Sequence, residues 1–187
     1  MNKGNRFLLC GLETERLIFR EILETDYERW VEFFKDPTTS VHWVEEKETP
    51  EIACTKWYAK QFGRYKNDKG GMNALIEKRT GKFVGHCGLL VQTVDGIQEL
   101  EIGYSLMPQF WNNGYASEAA RLCRDVAFQN NYSNSLISII SVTNTPSEKV
   151  ARKNGMKVEK TTTYNGNQVN IFRITRHEWT QLQQIET

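Results

Sequence analysis

Glu99–Ala120 reads ELEIGYSLMPQFWNNGYASEAA, and the fold of the chain follows from it. Leu100, Ile102, Tyr104 and Leu106 alternate with Glu101, Gly103 and Ser105, so Glu99–Leu106 is a strand with one apolar face. Pro108 ends it. Trp111-Asn112-Asn113-Gly114-Tyr115-Ala116 then turns and opens a helix, with Ala119, Leu122, Cys123, Val126 and Ala127 at the spacing of one buried face. The first N–H groups of a helix lack internal partners, and the helix dipole adds partial positive charge there. Gly114 and Ala116 lack bulk, so a phosphate can approach the main chain. The turn therefore reads as a seat for the pyrophosphate of a nucleotide-like molecule.

Downstream, the helix runs out near Gln129-Asn130-Asn131, and Ser135–Val142 is a buried strand. Thr145 and Glu148 have the spacing of a capping box, opening a helix that stops at Asn154-Gly155. Lys157–Thr163 and Val169–Ile174 pair across Asn165-Gly166, and Arg176–Gln184 closes the chain as a short helix. Upstream, Asp95-Gly96 joins the central strand to a strand over Lys82–Val91, where Gly85 and Gly88 point to bulges or close packing. Arg79-Thr80-Gly81 and Asp68–Gly71 are turns on either side of a strand at Asn73–Glu77. Thr49 and Pro50 cap and start a helix to about Lys66 that buries Ile52, Trp57, Tyr58 and Phe62 in part. Thr25 caps a helix over Asp26–Lys35, with Tyr27, Trp30, Val31 and Phe34 on one side, and Leu17–Arg20 is the first strand. Residues 1–11 read as a loose arm. The sum is one α/β (α+β) domain over residues 1–187 with a mixed, largely antiparallel sheet.

Composition removes whole classes of function. A chain of 187 residues with 39% hydrophobic and 25% charged content is globular, and a formal charge of +1 carries no footprint for nucleic acid. The apolar run at Phe7–Leu12 is too short for a membrane span or an export signal. Cys10, Cys54, Cys87 and Cys123 have no metal-ligand spacing and read as reduced thiols of a cytoplasmic protein. A dinucleotide fold of Rossmann type fails, because no Gly-rich turn follows the first strand.

Three stretches resemble the GCN5-related N-acetyltransferase (GNAT) superfamily, and within it the RimJ/RimL-like group of ribosomal-protein N-terminal acetyltransferases. They are ERLIFRE at 15–21, EIGYSLMPQFWNNGYASEA at 101–119, and Asn144-x-x-Ser147 followed by ARKNGM at 151–156. The likeness covers about residues 14–179. It implies a twisted sheet of six to seven strands with about four helices, acetyl-CoA as co-substrate, and direct transfer to a primary amine in a ternary complex. The turn at Asn113, Gly114, Tyr115, Ala116 and Ser117 would cradle the pyrophosphate. The strand edge at Tyr104, Ser105 and Leu106 would pair with the pantetheine arm, with Asn144 and Ser147 beside it. Trp111 stands where many relatives carry Arg or Gln, and Asn112 where Gly is common. Ala151 stands where many relatives carry a general-acid Tyr.

The chemistry then assigns roles. A protonated amine cannot attack a thioester, so a base or a water wire is needed, and Glu101 on the polar strand face is the candidate. A backbone N–H near Leu106 would polarise the carbonyl. Ser147, or a water held by Asn144, is left to protonate the thiolate. Tyr104 reads as core packing before chemistry. Trp43, His86 and Glu101 are candidate acceptor contacts, His86 also reading as a packed histidine, and Glu45, Glu46 and Glu48 would suit a cationic acceptor. A protein N-terminal amine is the first acceptor expected. A small amine, amino acid or antibiotic, or a catalytically silent acyl-CoA sensor, is the alternative. No nucleic acid, membrane or metal partner is expected, and a homodimer stays open.

Overall fold

The structure, a computed structural model, describes residues 5–42 and 48–185. Its frame is a sheet of seven strands: β1 (Leu17–Arg20), β2 (Gly70–Glu77), β3 (Phe83–Val94), β4 (Ile97–Leu106), β5 (Ser135–Ser141), β6 (Lys157–Tyr164) and β7 (Asn167–Thr175). Their order across the sheet is β1-β2-β3-β4-β5-β7-β6, and among the described residues β4 with β5 is the one parallel pair. Five helices accompany them: α1 (Tyr27–Lys35), α2 (Pro50–Lys66), α3 (Tyr115–Gln129), α4 (Thr145–Lys153) and α5 (Arg176–Ile185). No described helix is long and apolar enough to cross a membrane.

Both faces of the sheet are covered, so β3 is buried almost end to end instead of alternating. On one face Trp30, Val31 and Phe33 of α1 and Cys54 and Tyr58 of α2 pack against Met72, Ala74, Phe83 and Leu90. On the other, Ala119, Ala120, Cys123 and Ala127 of α3 pack against Leu89, Leu100, Ile102, Leu136 and Phe172. The alternation read for β4 holds: Leu100, Ile102 and Leu106 are buried in that second core, while Glu101, Gly103 and Ser105 face the other way into a cleft. The Asp95-Gly96 and Asn165-Gly166 turns hold too, all four residues in the left-handed region that such hairpins need. Close packing at Gly88 is explicit. A Cβ there would lie 2.1 Å from the Gly71 carbonyl oxygen of the neighbouring strand.

Several local expectations are corrected. Residues 5–11 are no loose arm: Phe7 and Leu9 are buried, the Asn5 side chain donates to Gly70 O at 2.9 Å, and Leu9 N–H donates to Asn73 Oδ1. Burial of Phe7 and Leu9, about 1.5–3 kcal/mol each, acts together with these hydrogen bonds to dock the strip. Thr25 caps nothing. Asp26 anchors that corner, accepting from Leu23 N–H and from both terminal nitrogens of Arg20 at 2.6 and 2.7 Å. Phe33 is buried in addition to the expected Trp30 and Val31, with Tyr27 and Phe34 packed partly against the same core, and Ile52 is exposed while Cys54, two residues on, is buried. Strand β2 begins at Gly70 instead of Asn73, and β3 continues to Val94, so both pair further than their apolar runs indicate. Thr49 and Pro50 do start α2, with Thr49 Oγ1 accepting from Ile52 N–H.

Candidate active site

The cleft exists because β4 and β5 part. Their register holds a single pair, Glu101 opposite Ile137, and beyond it the strands diverge. Ser138 Oγ bridges the start of the gap by donating to Ile102 O at 2.8 Å. Met107 N–H donates across to Val84 O of β3, and hydrogen-bonding direction alternates along a strand. The N–H and C=O of Ile102, Tyr104 and Leu106 therefore point toward the gap. Ile102 O is taken by Ser138 and Leu106 O by the Trp111 indole N–H at 2.7 Å. That leaves the main-chain groups of Tyr104 and the N–H of Leu106 directed into the opening, an unfilled strand edge ready for an extended ligand.

Glu101 sits on the cleft face at the point of divergence, partly buried. Gly103 beside it leaves the floor open, since a Cβ there would meet Leu90 and Met72 at 2.8 and 3.0 Å. Burial pushes the Glu101 pKa above the usual carboxylate range. Opposing that rise are the Gln92 side-chain N–H, the Ile139 backbone N–H, and the charges of Arg64 and Lys60. The cavity is about 340 Å³. His42 lines it, bonding Thr143 Oγ1 at 2.8 Å through Nδ1 and accepting from Asn167 Nδ2 at its carbonyl.

The turn after β4 has the form an anion seat requires. Asn112 and Gly114 both have positive φ, +60° and +81°, and Glu118 N–H closes the first turn of α3 onto Gly114 O. Asn tolerates the left-handed region, so Asn112 can hold this part of the turn. Ala116 and Ser117 lie in that first turn, whose amides have no partner inside the helix. The Tyr115 side chain does not face the turn's outer surface. It is 7% exposed and its hydroxyl donates to Glu77. Asn113 contributes its carbonyl to Arg16 Nη1 at 2.9 Å, and Arg16 in turn is held by Glu118. Glu118 is thus a structural ligand of Arg16 at the helix start.

Across the gap, Asn144 and Ser147 begin α4, and the expected capping box is corrected. Asn144 is the N-cap, its Oδ1 accepting from Ser147 N–H at 3.1 Å, while Glu148 pairs with Arg152 outside. Tyr104, packed partly in the core, donates its hydroxyl to Ser147 O at 3.0 Å. Burial keeps that phenol protonated by raising its pKa. Both Asn144 and Ser147 line the cleft. Ala151 is 2% exposed in the core, so a larger residue there would have to displace packed atoms.

The candidate acceptor contacts fare differently. Trp43, with Glu45 and Glu46, lies outside the described residues. Glu48 is paired with Lys56 and does not hold open charge for a cationic acceptor. His86 is corrected: it is 0% exposed, walled by the rings of Trp30, Trp57 and Phe83 at 4.3, 4.5 and 5.0 Å, and only Trp57 of this group reaches the cleft. Its pKa falls to about 3, chiefly through burial; Asp26 opposes the shift and Arg20 adds to it. The sign follows from proton counting. Between about 6.5 and that value the unfolded chain binds the proton and the folded one does not. Stability is therefore full above the ordinary histidine range and falls as pH drops, by at most about 1.4 kcal/mol per unit. Urea unfolding at about pH 7.5 and about pH 5 should show this loss, and His86→Leu should flatten it; an equal slope in that variant would refute it.

Comparison with known proteins fixes the lineage. The profile of the Acetyltransferase (GNAT) domain matches residues 16–157. The chain belongs to the GNAT acetyltransferase family. This places it among the acyltransferases. YkkB of Bacillus subtilis (strain 168) is 40% identical over 99 residues, 51% of this chain and 58% of YkkB, so the likeness spans little more than half of that relative. The uncharacterized N-acetyltransferase YnaD of the same organism is 29% identical over 149 residues, 79% of this chain and 83% of YnaD. In structure the GNAT chain is similar to RimJ of Mycobacterium smegmatis in complex with CoA-disulfide, with a TM-score of 0.71, 14% identity, and 96% of each chain covered.

GNAT folds bind CoA, and the geometry fits. A bare strand edge leads from Glu101 to a left-handed glycine turn at a helix start. Sequence reasoning missed four residues of this site: Gln92, Arg64, Tyr164 and Gly103. Three come from β3, α2 and β6, distant in sequence and without a motif, so no local signal marked them. Gly103 lay within the decisive stretch and was assigned only to the strand's polar face.

Proposed function

We propose that the protein transfers an acetyl group from acetyl-CoA to a primary amine by direct attack in a ternary complex. One observation carries the reading: Glu101 and the free β4 edge share one cleft, and the same strand leads on to the Gly114 turn at the start of α3. Acetyl-CoA supplies the activated thioester. The amides of Asn113, Gly114, Ala116 and Ser117 seat its pyrophosphate, and the main chain of Tyr104 and Leu106 fixes its arm. Glu101, through water, takes the proton from the amine, and its raised pKa matches that task. The Leu106 N–H donates to the carbonyl oxygen as charge develops there. Ser147, its main chain held by Asn144 and Tyr104, passes a proton to the leaving thiolate and takes one back from solvent water, while Glu101 releases the amine's proton to solvent. No covalent enzyme intermediate is needed, since holding both substrates in reach supplies much of the rate.

The acceptor is read as the N-terminal amine of a protein. Likeness of fold to RimL, a ribosomal L7/L12 alpha-N-protein acetyltransferase, supports this. A small amine of comparable width fits the same cavity. Isothermal titration with acetyl-CoA should give saturable binding, followed by thiol release on a panel of peptides and small amines. Absence of binding rejects the reading. Binding without turnover on any acceptor favours a silent acyl-CoA sensor.

A further inference from the structure

Glu101 does not meet Arg64 directly; a glutamine stands between them. Arg64 Nη2 donates to Gln92 Oε1 at 2.7 Å, and Tyr164 Oη donates to the same oxygen at 3.2 Å. Arg64 Nη1 is tied separately to Val91 O at 2.9 Å. A guanidinium has donors only, so the amide of Gln92 can adopt one orientation. Its Nε2 must face Glu101, and does so at 2.7 Å from Oε2. Four elements, α2, β3, β4 and β6, meet in this chain of contacts.

We infer that Gln92 is a positioning residue for Glu101: its amide holds the Arg64 guanidinium one side chain away from the carboxylate and donates to one carboxylate oxygen. The inference rests on the reading of Glu101 as the base. Direct contact with an arginine lowers a carboxylate pKa by about 1–3 units, which would leave Glu101 too weak to accept a proton. The other charged or titratable groups facing Glu101 are Lys60 on α2, Tyr164 on β6 and Tyr104 on its own strand. None of them fills the space that Gln92 occupies between Arg64 and Glu101. The arrangement keeps a positive charge close enough to steady an ionised Glu101 in a buried place, yet leaves its basicity above the ordinary range.

The titration of Glu101 can be followed without any acceptor, by carbon NMR of protein carrying δ-labelled glutamate. The Glu101 resonance is identified by its absence in Glu101→Gln. In Gln92→Ala, Arg64 gains room to contact Glu101, and the midpoint should fall by about one pH unit. Adding Arg64→Met should reverse that fall. In Gln92→Leu the space stays filled and the amide bond is lost, so the midpoint should rise. Opposite signs in the alanine and leucine variants are the expected result. A midpoint that stays in place in both, or moves the same way in both, overturns the spacer role. If Gln92→Ala does not fold, Gln92→Ser takes its place with the same expected fall. The base reading fails separately, through an unchanged rate in Glu101→Gln.

Discussion

Glu101→Gln should lower the acetyl-transfer rate at neutral pH by about 10²–10⁴-fold, the usual worth of a positioned general base. The substitution is nearly isosteric and still offers an oxygen to the Gln92 amide, so the cleft floor keeps its shape. The deficit should narrow as pH rises, because an acceptor amine that has lost its own proton no longer needs the carboxylate. Affinity for acetyl-CoA should be unchanged. Stability should move in the opposite direction from activity. The folded-state pKa of Glu101 is raised, so the folded protein binds more protons than the unfolded chain between the ordinary carboxylate value and the raised one. Stability is complete below that window and is lost as pH climbs through it. The glutamine variant carries no such charge and should melt at a higher temperature than the parent at pH 7. Initial rates across pH, together with thermal unfolding, check both statements. A variant with parental rate at every pH would remove Glu101 from the reaction.

Gly114→Ala should weaken acetyl-CoA binding by about tenfold or more, and Gly114→Val further. The backbone at Gly114 has φ +81°, a conformation that costs an L-residue about 1–2 kcal/mol, and about 1.4 kcal/mol is a tenfold change in Kd. An added Cβ would also lie 3.3 Å from Arg16 Nη2. Arg16 cannot simply swing aside, because Glu118 and Asn113 O hold it. A relaxed turn would escape the strain but move the amides of Ala116 and Ser117 off the pyrophosphate. Gly81→Ala is the matched control. Gly81 also has a left-handed backbone, at φ +69°, but lies in the β2–β3 turn with open space around it. It should lose a similar amount of stability while titration with acetyl-CoA gives the parental Kd. Equal Kd values for both variants and the parent would detach the Gly114 turn from binding.

The readings that held rested on local physics. Alternation along Glu99–Leu106 put Glu101 on the face away from the core whatever packed around it. The left-handed preferences of Asp95-Gly96, Gly114 and Asn165-Gly166 located their turns to the residue. The readings that failed depended on partners supplied from far along the chain. Thr145 had the local spacing of a cap, yet the path of β5 into α4 put Asn144 there instead. His86 sat among small residues on a strand, and only the arrival of α1 and α2 sealed it behind Trp30 and Trp57. Phe7 and Leu9 lay in a short polar-flanked segment, and it took hydrogen bonds to Gly70 and Asn73 of β2 and a place in the core to order them.

The decisive stretch, by itself, determined a strand, a left-handed turn and a helix, and with them an outward carboxylate. Backbone preference and side-chain period act over a few residues, so no distant partner was needed. Only the tertiary structure decided that β4 and β5 part beyond Glu101, that this parting exposes the edge at Tyr104 and Leu106, and that Gln92 stands between Glu101 and Arg64. Those facts set the surroundings of Glu101 and the path to it. They arise from long-range strand pairing and from charges brought together by folding, which no local pattern encodes.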